Sequence, residues 1–344
     1  MAARRFPAEW EEQQGLLLCF PHNGKDWPGK FGAIQWVFVE FIKKVAAVET
    51  VFLLVEDKAH QEKVTELLEI ATVKMENVSF LFQKTNRSWM RDSGPIIVKN
   101  GDQREALNFN FNAWAKYKNF KLDKKTPSTV AEHLGIPLTK VTYKGKPVVL
   151  EGGALEVNGK GTLVTSEECL LHPSIQVRNA GFTKADYEAV FKEYFGVTNT
   201  IWLGDGILGD DTHGHIDDLC RFVNADTVIT VIEEDKNHKN YAPLQDNLRR
   251  LKKAKLEEGS PLKIVELPMP GIIHFDGLEL PASYANFLIL NKVVLMPTFN
   301  DPKDRIALDI LQGCFPNRTV IGISSIDLIW GFGTLHCLSQ QIPL

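Results

Sequence analysis

Short apolar runs alternate along the chain with longer segments in which apolar positions recur every three or four residues. The runs are rich in Val, Ile, Leu and Phe, which favours buried strands, and the longer segments have the period of helices with one buried face. The runs predict strands at residues 15–20, 51–55, 78–82, 95–98, 106–111, 148–150, 161–165, 200–203, 227–232, 262–267, 286–290, 293–296 and 318–323.

Helices are predicted between these strands, at residues 31–48, 58–70, 128–134, 184–195, 244–258 and 302–311. Thr183 and Asp186 have the spacing of a capping box, and Gly196 follows the last turn of the same helix. Asp301 and Pro302 resemble a cap followed by proline at the first helical position. The alternation is typical of an α/β protein, and because no linker divides the chain we predict a single domain over residues 1–344.

Charge and cysteine content narrow the range of functions. The formal net charge of −4 argues against binding to nucleic acid or to an anionic membrane, and it mildly favours a cationic substrate. No stretch is apolar for the length of a membrane span, and the first twelve residues lack the apolar run of a secretory signal. The five cysteines are widely spaced, which predicts a reduced, cytoplasmic protein with neither a disulfide framework nor a zinc cluster.

Residues 210–218 concentrate four aspartates and two histidines just before an apolar run. In an extended segment side chains alternate between faces, so His213, His215 and Asp217 would lie on one face. Three interpretations are open at this point. The segment is a zinc site, or the acid–base part of a cysteine enzyme whose thiol is distant in sequence, or a solvated polar turn.

Three other segments combine polar side chains with glycine. Asp92 is predicted in a turn tightened by Gly94 and Pro95, and Glu151 lies at the end of a strand-like run, before two glycines. Near the carboxyl end a glycine-punctuated loop leads to Cys337. A reactive thiol and a buried inert one are equally compatible with that loop.

The four segments together resemble the agmatine deiminase family of guanidine-modifying cysteine enzymes, which is close to the bacterial peptidyl-arginine deiminases. The resemblance rests on Trp-x-Arg-Asp-x-Gly-Pro at residues 89–95, Leu-Glu-Gly-Gly at 150–153, His-x-Asp-Asp at 215–218 and Gly-x-Gly-x-x-His-Cys at 331–337. It implies a fold that the residues alone do not reveal. That fold is a five-fold pseudosymmetric α/β propeller, or pentein, of ββαβ modules around a central active site.

The resemblance also implies a role for each candidate residue. Cys337 would be the nucleophile, His215 the general acid and base, and Glu151 the carboxylate that orients His215. Asp92 and Asp217 would grip the guanidinium, because carboxylates hold its planar fork of donors well. The substrate-binding residues implied are Trp89, Asp92, Asp211, Asp217 and Gly333, with Asp211 facing the far end of the substrate.

The implied reaction is the hydrolytic deimination of agmatine to N-carbamoylputrescine and ammonia through a covalent thiouronium intermediate, within polyamine and putrescine biosynthesis. It needs no metal and no cofactor. The alternative is peptidyl-arginine or free arginine on the same site, and a weaker one is a zinc hydrolase that uses His213, His215 and Asp217. The expected partner is a small cationic guanidino substrate, and a homodimer is left open.

Two features depart from the family's pattern. Phe332 stands where the family has the middle one of three glycines, and the loop after Trp114 lacks the double glycine often found there. Both are expected to lie where the substrate enters. They therefore bear on which substrate is accepted rather than on deimination itself.

Overall fold

The computed structural model describes residues 4–344 and contains five sheets of three or four strands. The first three residues of the predicted domain lie outside the described residues. Two short hairpins, His274–Phe275 with Leu278–Glu279 and Thr142–Tyr143 with Lys146–Pro147, lie beside the sheets. In order across each sheet the strands are Ser339–Pro343, Gln13–Cys19, Thr50–Val55 and Val78–Phe82; Arg4–Arg5, Ile96–Asn100, Gln103–Asn108 and Leu138–Lys140; Glu156–Val157, Thr162–Ser166 and Asn199–Leu203; Cys220–Asn224, Thr227–Ile232 and Lys263–Pro268; and Leu288–Ile289, Val293–Thr298 and Thr319–Ser324.

The five sheets share one pattern of connections. One strand pairs antiparallel with a second, and a helix then leads from the second strand to a third that lies parallel to it. A helical crossover is the usual link between parallel neighbours. The crossing helices are Phe31–Ala46, Thr126–Leu134, Lys184–Phe195, Tyr241–Lys253 and Lys303–Cys314, while Lys58–Ile70 leads to the fourth strand of the first sheet and Met90–Ser93 and Glu167–Leu171 are shorter.

The core lies between these helices and the sheets. Helix Phe31–Ala46 buries Phe38, Phe41 and Val45 in the same apolar cluster as strand residue Leu53. Burying a side chain of this size contributes about 1.5–3 kcal/mol, so the apolar face decides where the helix packs. Among residues 4–344, no helix is both long and apolar enough to cross a membrane.

The capping signals predicted for two helices are present, and one of these helices begins one residue later than predicted. The Thr183 side chain accepts from the backbone of Asp186, and the Asp186 side chain accepts from the Thr183 backbone at 2.9 Å. Gly196 ends that helix with a φ of 70°, a left-handed conformation that favours glycine. The last helix begins at Lys303, one residue later than predicted, and Asp301 Oδ1 accepts its backbone N–H at 2.8 Å.

The α/β class is confirmed, and strands Val78–Phe82 and Thr227–Ile232 have the predicted bounds. Residues 148–150 do not form the predicted strand, although all three are buried. The helix predicted at 244–258 is observed at Tyr241–Lys253, so it begins three residues earlier and is shorter than predicted. Strand Ser339–Pro343 was not predicted because its sequence is polar, yet it is buried against Gln13–Cys19, so its tertiary partner overrides its low strand propensity.

Candidate active site

The predicted catalytic side chains lie at equivalent positions of the repeating units, just before the first strand of each antiparallel pair. The equivalent residues and the strands that they precede are Asp92 before Ile96–Asn100, Glu151 before Glu156–Val157, His215 and Asp217 before Cys220–Asn224, Asn286 before Leu288–Ile289, and Cys337 before Ser339–Pro343. Asp92 lies in a turn as predicted, and this turn is the single helical turn Met90–Ser93, which ends at Gly94. The repeat of the fold therefore brings together residues that are distant in sequence.

Cys337 is buried, with 5% of its surface exposed, yet it lines a cavity. Asn286 Nδ2 donates to its Sγ at 3.0 Å, and the thiol donates toward Asp217 Oδ2 at 3.6 Å. Burial, followed by the negative charges of Asp217, Asp218 and Asp92, raises the pKa of this thiol well above its ordinary value. The substrate-free thiol is thus protonated at neutral pH, and a cation bound among these carboxylates would favour the thiolate.

His215 is buried, and its two ring nitrogens find no hydrogen-bond partner within residues 4–344. Its Nδ1 lies 3.8 Å from Asp92 Oδ1, and its Nε2 lies 4.0 Å from Glu151 Oε2. Burial alone would lower its pKa, but the charges and contacts of Asp92, Cys169 and Asp217 outweigh burial and raise the pKa well above its ordinary value. The raised pKa favours a protonated imidazole at neutral pH, as a general acid requires.

Glu151 is fixed by a buried ion pair that the sequence did not indicate. Arg178 Nε lies 3.1 Å and 3.3 Å from the two carboxylate oxygens of Glu151, and Arg178 Nη2 donates to the carbonyl of Thr212 at 2.6 Å. A Cβ on Gly153 would collide with Nδ1 of His215, so the second glycine after Glu151 permits this close approach. The Leu-Glu-Gly-Gly segment thus supplies both an acid and room for the imidazole.

Asp92 and Asp217 each keep one unused carboxylate oxygen. Asp92 Oδ2 accepts from Trp114 Nε1 at 3.1 Å, and Asp217 Oδ2 lies 2.7 Å from Nδ1 of His336. Oδ1 of each aspartate has no hydrogen-bond partner in the described part of the chain. Burial is the main cause that raises the pKa of Asp92 to about 7, against the opposing charge of His215. Unpaired buried carboxylate oxygens are costly, and a cation rich in N–H groups would satisfy both.

His336 joins Asp217 to a buried charge cluster. Its Nε2 lies 2.9 Å from Glu9 Oε2, and Arg221 pairs with Glu9 at 2.5 Å and with Glu156 at 2.7 Å. A buried ion pair holds its geometry when further hydrogen bonds satisfy its atoms. This chain of contacts fixes the carboxylate of Asp217 from behind and leaves its other oxygen unused.

Asn286 is the main omission of the sequence-based prediction. Its Oδ1 accepts from Thr334 Oγ1 at 2.7 Å and from the His336 backbone at 3.1 Å, while its Nδ2 donates to both Cys337 and Asp218. One amide therefore positions the loop that carries the thiol and touches the sulfur itself. Its only sequence signal is its position in the repeat, which is invisible until the strands are paired.

The predicted alternation of the Asp- and His-rich segment is wrong. His213 has a φ of 65° and Ile216–Asp218 forms a 3-10 turn, so His213 does not share a face with His215. The carboxylate of Asp210 accepts backbone N–H groups across this turn at 2.7, 2.8 and 3.0 Å. Asp210 is therefore an acid that builds the turn.

The zinc interpretation of this segment is also wrong in its ligand set. His213 lies 3.3 Å from Glu168 instead of beside His215 and Asp217. Within residues 4–344, two sets of three side chains have potential metal-ligand atoms within 4.8 Å of one another. The first set is Glu151, Cys169 and His215, and the second is Asp217, Asp218 and Cys337. The backbone of the turn separates the three residues that an extended strand would have aligned.

A cavity of about 140 Å³ reaches Cys337 and is lined by the predicted residues Trp89, Asp92, Asp211 and Gly333. A Cβ on Gly333 would come within 3.0 Å of Cys337 and 2.9 Å of the Trp89 ring, so glycine keeps the approach to the sulfur open. Phe332 lines the same cavity in a left-handed conformation with a φ of 67°. This conformation is one that glycine adopts without strain.

Cations that were not predicted lie at the mouth of the cavity: Lys25 and Arg87 line it, and Lys116 pairs with the lining residue Asp211. Asp211 does line it, but Lys116 Nζ lies 2.5 Å from Asp211 Oδ1 and the Tyr117 hydroxyl donates to Oδ2 at 2.7 Å. Arg87 pairs with Asp26 at 2.7 Å and lies 4.3 Å from the centre of the Tyr117 ring. Each of these two mouth acids therefore already has a cation of the chain as a partner.

Comparison with known proteins gives a consistent family. The family model described as Porphyromonas-type peptidyl-arginine deiminase matches residues 5–343. A curated protein of Yersinia pestis is 33% identical over 361 aligned residues, which cover 98% of this chain and 94% of that protein. The sequence similarity thus extends over all the segments that form the site.

Solved structures agree with this result. A substrate-bound agmatine deiminase variant from C. jejuni is 32% identical, with a TM-score of 0.88 over 98% of this chain and 96% of that one. The agmatine deiminase of Enterococcus faecalis is 28% identical, with a TM-score of 0.91 over 99% and 96% of the two chains. A cyanobacterial arginine dihydrolase, 11% identical with a TM-score of 0.52 over 96% of this chain and 39% of that one, is similar in fold alone.

Proposed function

The chain belongs to the Porphyromonas-type peptidyl-arginine deiminase family, and within it we propose that this enzyme hydrolyses agmatine to N-carbamoylputrescine and ammonia. One observation carries the proposal. Two buried aspartates, Asp92 and Asp217, keep unused oxygens beside a buried thiol and a protonated imidazole. A guanidinium, planar and rich in N–H donors, is the cation that this arrangement fits.

The proposed chemistry is covalent. The Sγ of Cys337 attacks the central guanidinium carbon and forms a C–S bond, and His215 protonates the nitrogen that leaves as ammonia when its C–N bond breaks. The product of this half-reaction is a thiouronium adduct. A water molecule deprotonated by His215 then attacks the same carbon, the C–S bond breaks, and the ureido product leaves the thiol free.

The electrostatics explain why the substrate itself would start the reaction. Without a bound cation, burial and the nearby carboxylates keep the pKa of Cys337 high and the sulfur unreactive. A guanidinium between Asp92 and Asp217 adds a positive charge where these acids now raise the pKa of the thiol. The nucleophile is thus activated when the correct charge is present, which protects the thiol at other times.

The remaining residues take supporting roles in this proposal. Glu151 orients His215 and is itself held by Arg178, and Trp89 and Gly333 shape the path to the sulfur. Asp211 faces the far end of the substrate, where agmatine has an ammonium and arginine adds a carboxylate. A negative charge at that end favours agmatine, while peptidyl-arginine and free arginine remain the alternative substrates.

The proposal also covers the domain organisation and architecture of the chain. Five units with the same connections support one domain over residues 1–344 arranged as a five-fold pseudosymmetric propeller, a pentein, around the site. A cytoplasmic location, a homodimer and a place in putrescine and polyamine biosynthesis stay predictions.

The experiment is to measure ammonia and the ureido product from agmatine, arginine, a blocked arginyl peptide and a simple alkylguanidine. The chelator-treated enzyme is compared with untreated enzyme, and Cys337→Ala serves as the control. We expect ammonia and N-carbamoylputrescine in equal amounts from agmatine, with the highest kcat/KM of the panel. No ammonia from any compound would reject deimination, whereas a preference for the peptide would reject only the choice of agmatine.

A further inference from the structure

Lys116 forms an ion pair with Asp211, the acid that is proposed to select the substrate. Its Nζ lies 2.5 Å from Asp211 Oδ1, with 41% of the lysine side chain and 18% of the aspartate side chain exposed. The Tyr117 hydroxyl donates to the other oxygen of Asp211 at 2.7 Å. Both oxygens of Asp211 therefore have partners from the chain itself, in contrast to Asp92 at the base of the cavity.

The loop that carries Lys116 is held in an unusual conformation. Ala113, Trp114 and Ala115 have φ values of 52°, 58° and 54°, a left-handed run without glycine that costs roughly 1–2 kcal/mol per residue. Asn112 Oδ1 accepts from the Ala115 backbone at 2.8 Å, which holds part of the run in place. The backbone just before Lys116 is therefore strained and held by a hydrogen bond, which fixes where the lysine side chain begins.

The lysine loop is also tied to the segment that carries Asp211. Gln176 Nε2 donates to the carbonyl of Trp114 at 3.2 Å and to the carbonyl of Asp211 at 3.0 Å. Trp114 further donates to Asp92 at 3.1 Å, so the same loop contacts both ends of the cavity. These contacts hold Lys116 and Asp211 as a pair across the mouth.

We propose that Lys116 is a specificity-determining residue. It neutralises Asp211 and so lowers the ratio of kcat/KM for agmatine to kcat/KM for arginine. This inference rests on the proposed deiminase function. With Lys116 in place, the ammonium of agmatine competes with an ammonium of the chain for Asp211. The α-carboxylate of arginine meets a neutral pair instead of a lone negative charge, and Lys116 is a cation within its reach.

The neighbouring charges do not replace this effect. Arg87 is bound to Asp26, so that pair is also neutral overall. Lys25 also lines the cavity, but its charge is the same in the wild type and in every variant of Lys116, so it does not alter the comparison. Removing the charge of Lys116 leaves Asp211 as a negative charge held by the Tyr117 hydroxyl alone. A unit charge at contact distance near a protein surface changes an equilibrium by about tenfold or more, and the partial exposure of the pair keeps the expected change toward that lower figure.

The test compares the ratio of kcat/KM for agmatine to kcat/KM for arginine in the wild type and in three variants. Lys116→Gln is expected to raise the ratio by about tenfold, with kcat/KM rising for agmatine and falling for arginine. Lys116→Arg keeps the charge and is expected to keep the ratio. Lys118→Gln removes the same charge from an exposed position that forms no ion pair with Asp211, and it controls for the overall charge of the loop.

Each outcome decides between separate claims. A ratio unchanged in Lys116→Gln, or shifted equally in Lys118→Gln, would overturn the assignment of Lys116 while leaving deimination intact. An equal gain for both substrates would make Lys116 an obstacle to entry and would also overturn the proposal. Absence of ammonia release from every substrate in the wild type would instead reject the proposed function on which the inference rests.

Discussion

The carboxylates near the base of the cavity and the carboxylate of Asp211 at its mouth differ in whether their oxygens have partners. At the base, Asp92 lines the cavity, while Asp217 lies 3.6 Å from Cys337 Sγ without being part of the lining. Both are buried, and each has an oxygen without a partner in the described residues. At the mouth, Asp211 is partly exposed, and both of its oxygens have partners, in Lys116 and the Tyr117 hydroxyl. Each buried aspartate therefore keeps one oxygen free for the N–H group of a bound cation, whereas Asp211 already has a cation of the chain as its partner.

This difference assigns two tasks to two regions. Unsatisfied buried acids are maintained at a cost in stability, which is reasonable only where a ligand supplies the missing charge. Paired acids near the surface cost little and are easily changed by one substitution. We therefore propose that the residues at the base perform the chemistry and that those at the mouth select among guanidino compounds.

Removal of the thiol at the base should have the largest effect. Cys337→Ala is expected to lower kcat by at least about 10⁴-fold, because no other nucleophile contacts a cation held by the two aspartates. Ammonia release under single-turnover and steady-state conditions measures it. The fold should persist, since Ala leaves only a small gap.

Cys19, Cys220 and Cys314 provide the controls for this substitution. Each replaced by Ala should retain turnover, because none of them lines the cavity. Cys169 was also predicted to be dispensable for chemistry, but its Sγ lies within 4.8 Å of ligand atoms of Glu151 and His215, so it is not a neutral control. Turnover in Cys337→Ala together with loss of turnover in one of the three controls would contradict the assigned nucleophile.

Neutralising either acid at the base should have the next largest effect. Asp92→Asn and Asp217→Asn are each expected to weaken transition-state stabilisation by about 2–4 kcal/mol, since each removes a charged partner of a desolvated cation. Both kcat and kcat/KM for agmatine should fall. Unchanged kinetics in one variant would show that its aspartate is a structural acid, while Lys118→Gln should leave both constants unchanged.

The raised pKa of Asp92 also predicts how stability depends on pH. The folded-state pKa of Asp92 is raised to about 7 from an ordinary value of 3.8, so the folded state binds this proton more tightly than the unfolded state does. The contribution of Asp92 to stability is therefore full below the unfolded pKa and is lost as the pH rises through about 7. Asparagine does not titrate, so Asp92→Asn does not lose this contribution to stability as the pH rises.

We therefore expect Asp92→Asn to gain stability relative to the wild type by up to about 2 kcal/mol between roughly pH 5 and pH 8 in the absence of substrate. The gain is partly offset because His215 loses the negative charge that raises its pKa. Urea unfolding at several pH values measures the difference. Asp211→Asn is the matched comparison, because its acid is already paired with Lys116, and it should show little gain. Equal pH dependence in both variants would remove the distinction between base and mouth.

Prediction from the sequence succeeded where the signal is periodic or forms a dense motif. Strand Thr227–Ile232 is marked by its apolar run. The structure places Glu151 beside His215, and it places Asp92 both near His215 and in the cavity that Cys337 lines, while the roles of these residues stay predictions. Asn286 and Lys116 are single polar residues without periodic context. Their importance arises from contacts across the fold, so no local pattern could have identified them.

The smallest expected effect concerns the strained loop at the mouth. Ala115 is exposed with a φ of 54°, so Ala115→Gly should relieve left-handed strain without removing a packed side chain. The gain is partly offset by the greater freedom of glycine in the unfolded chain, and we expect stability to rise by up to about 1 kcal/mol. Ala47→Gly is the matched control: Ala47 is also exposed, but its φ is −70°, so glycine relieves no strain there and should destabilise by a similar amount. Chemical unfolding of the two variants in parallel measures the contrast, and a loss of stability in both would show that the loop is not strained in solution.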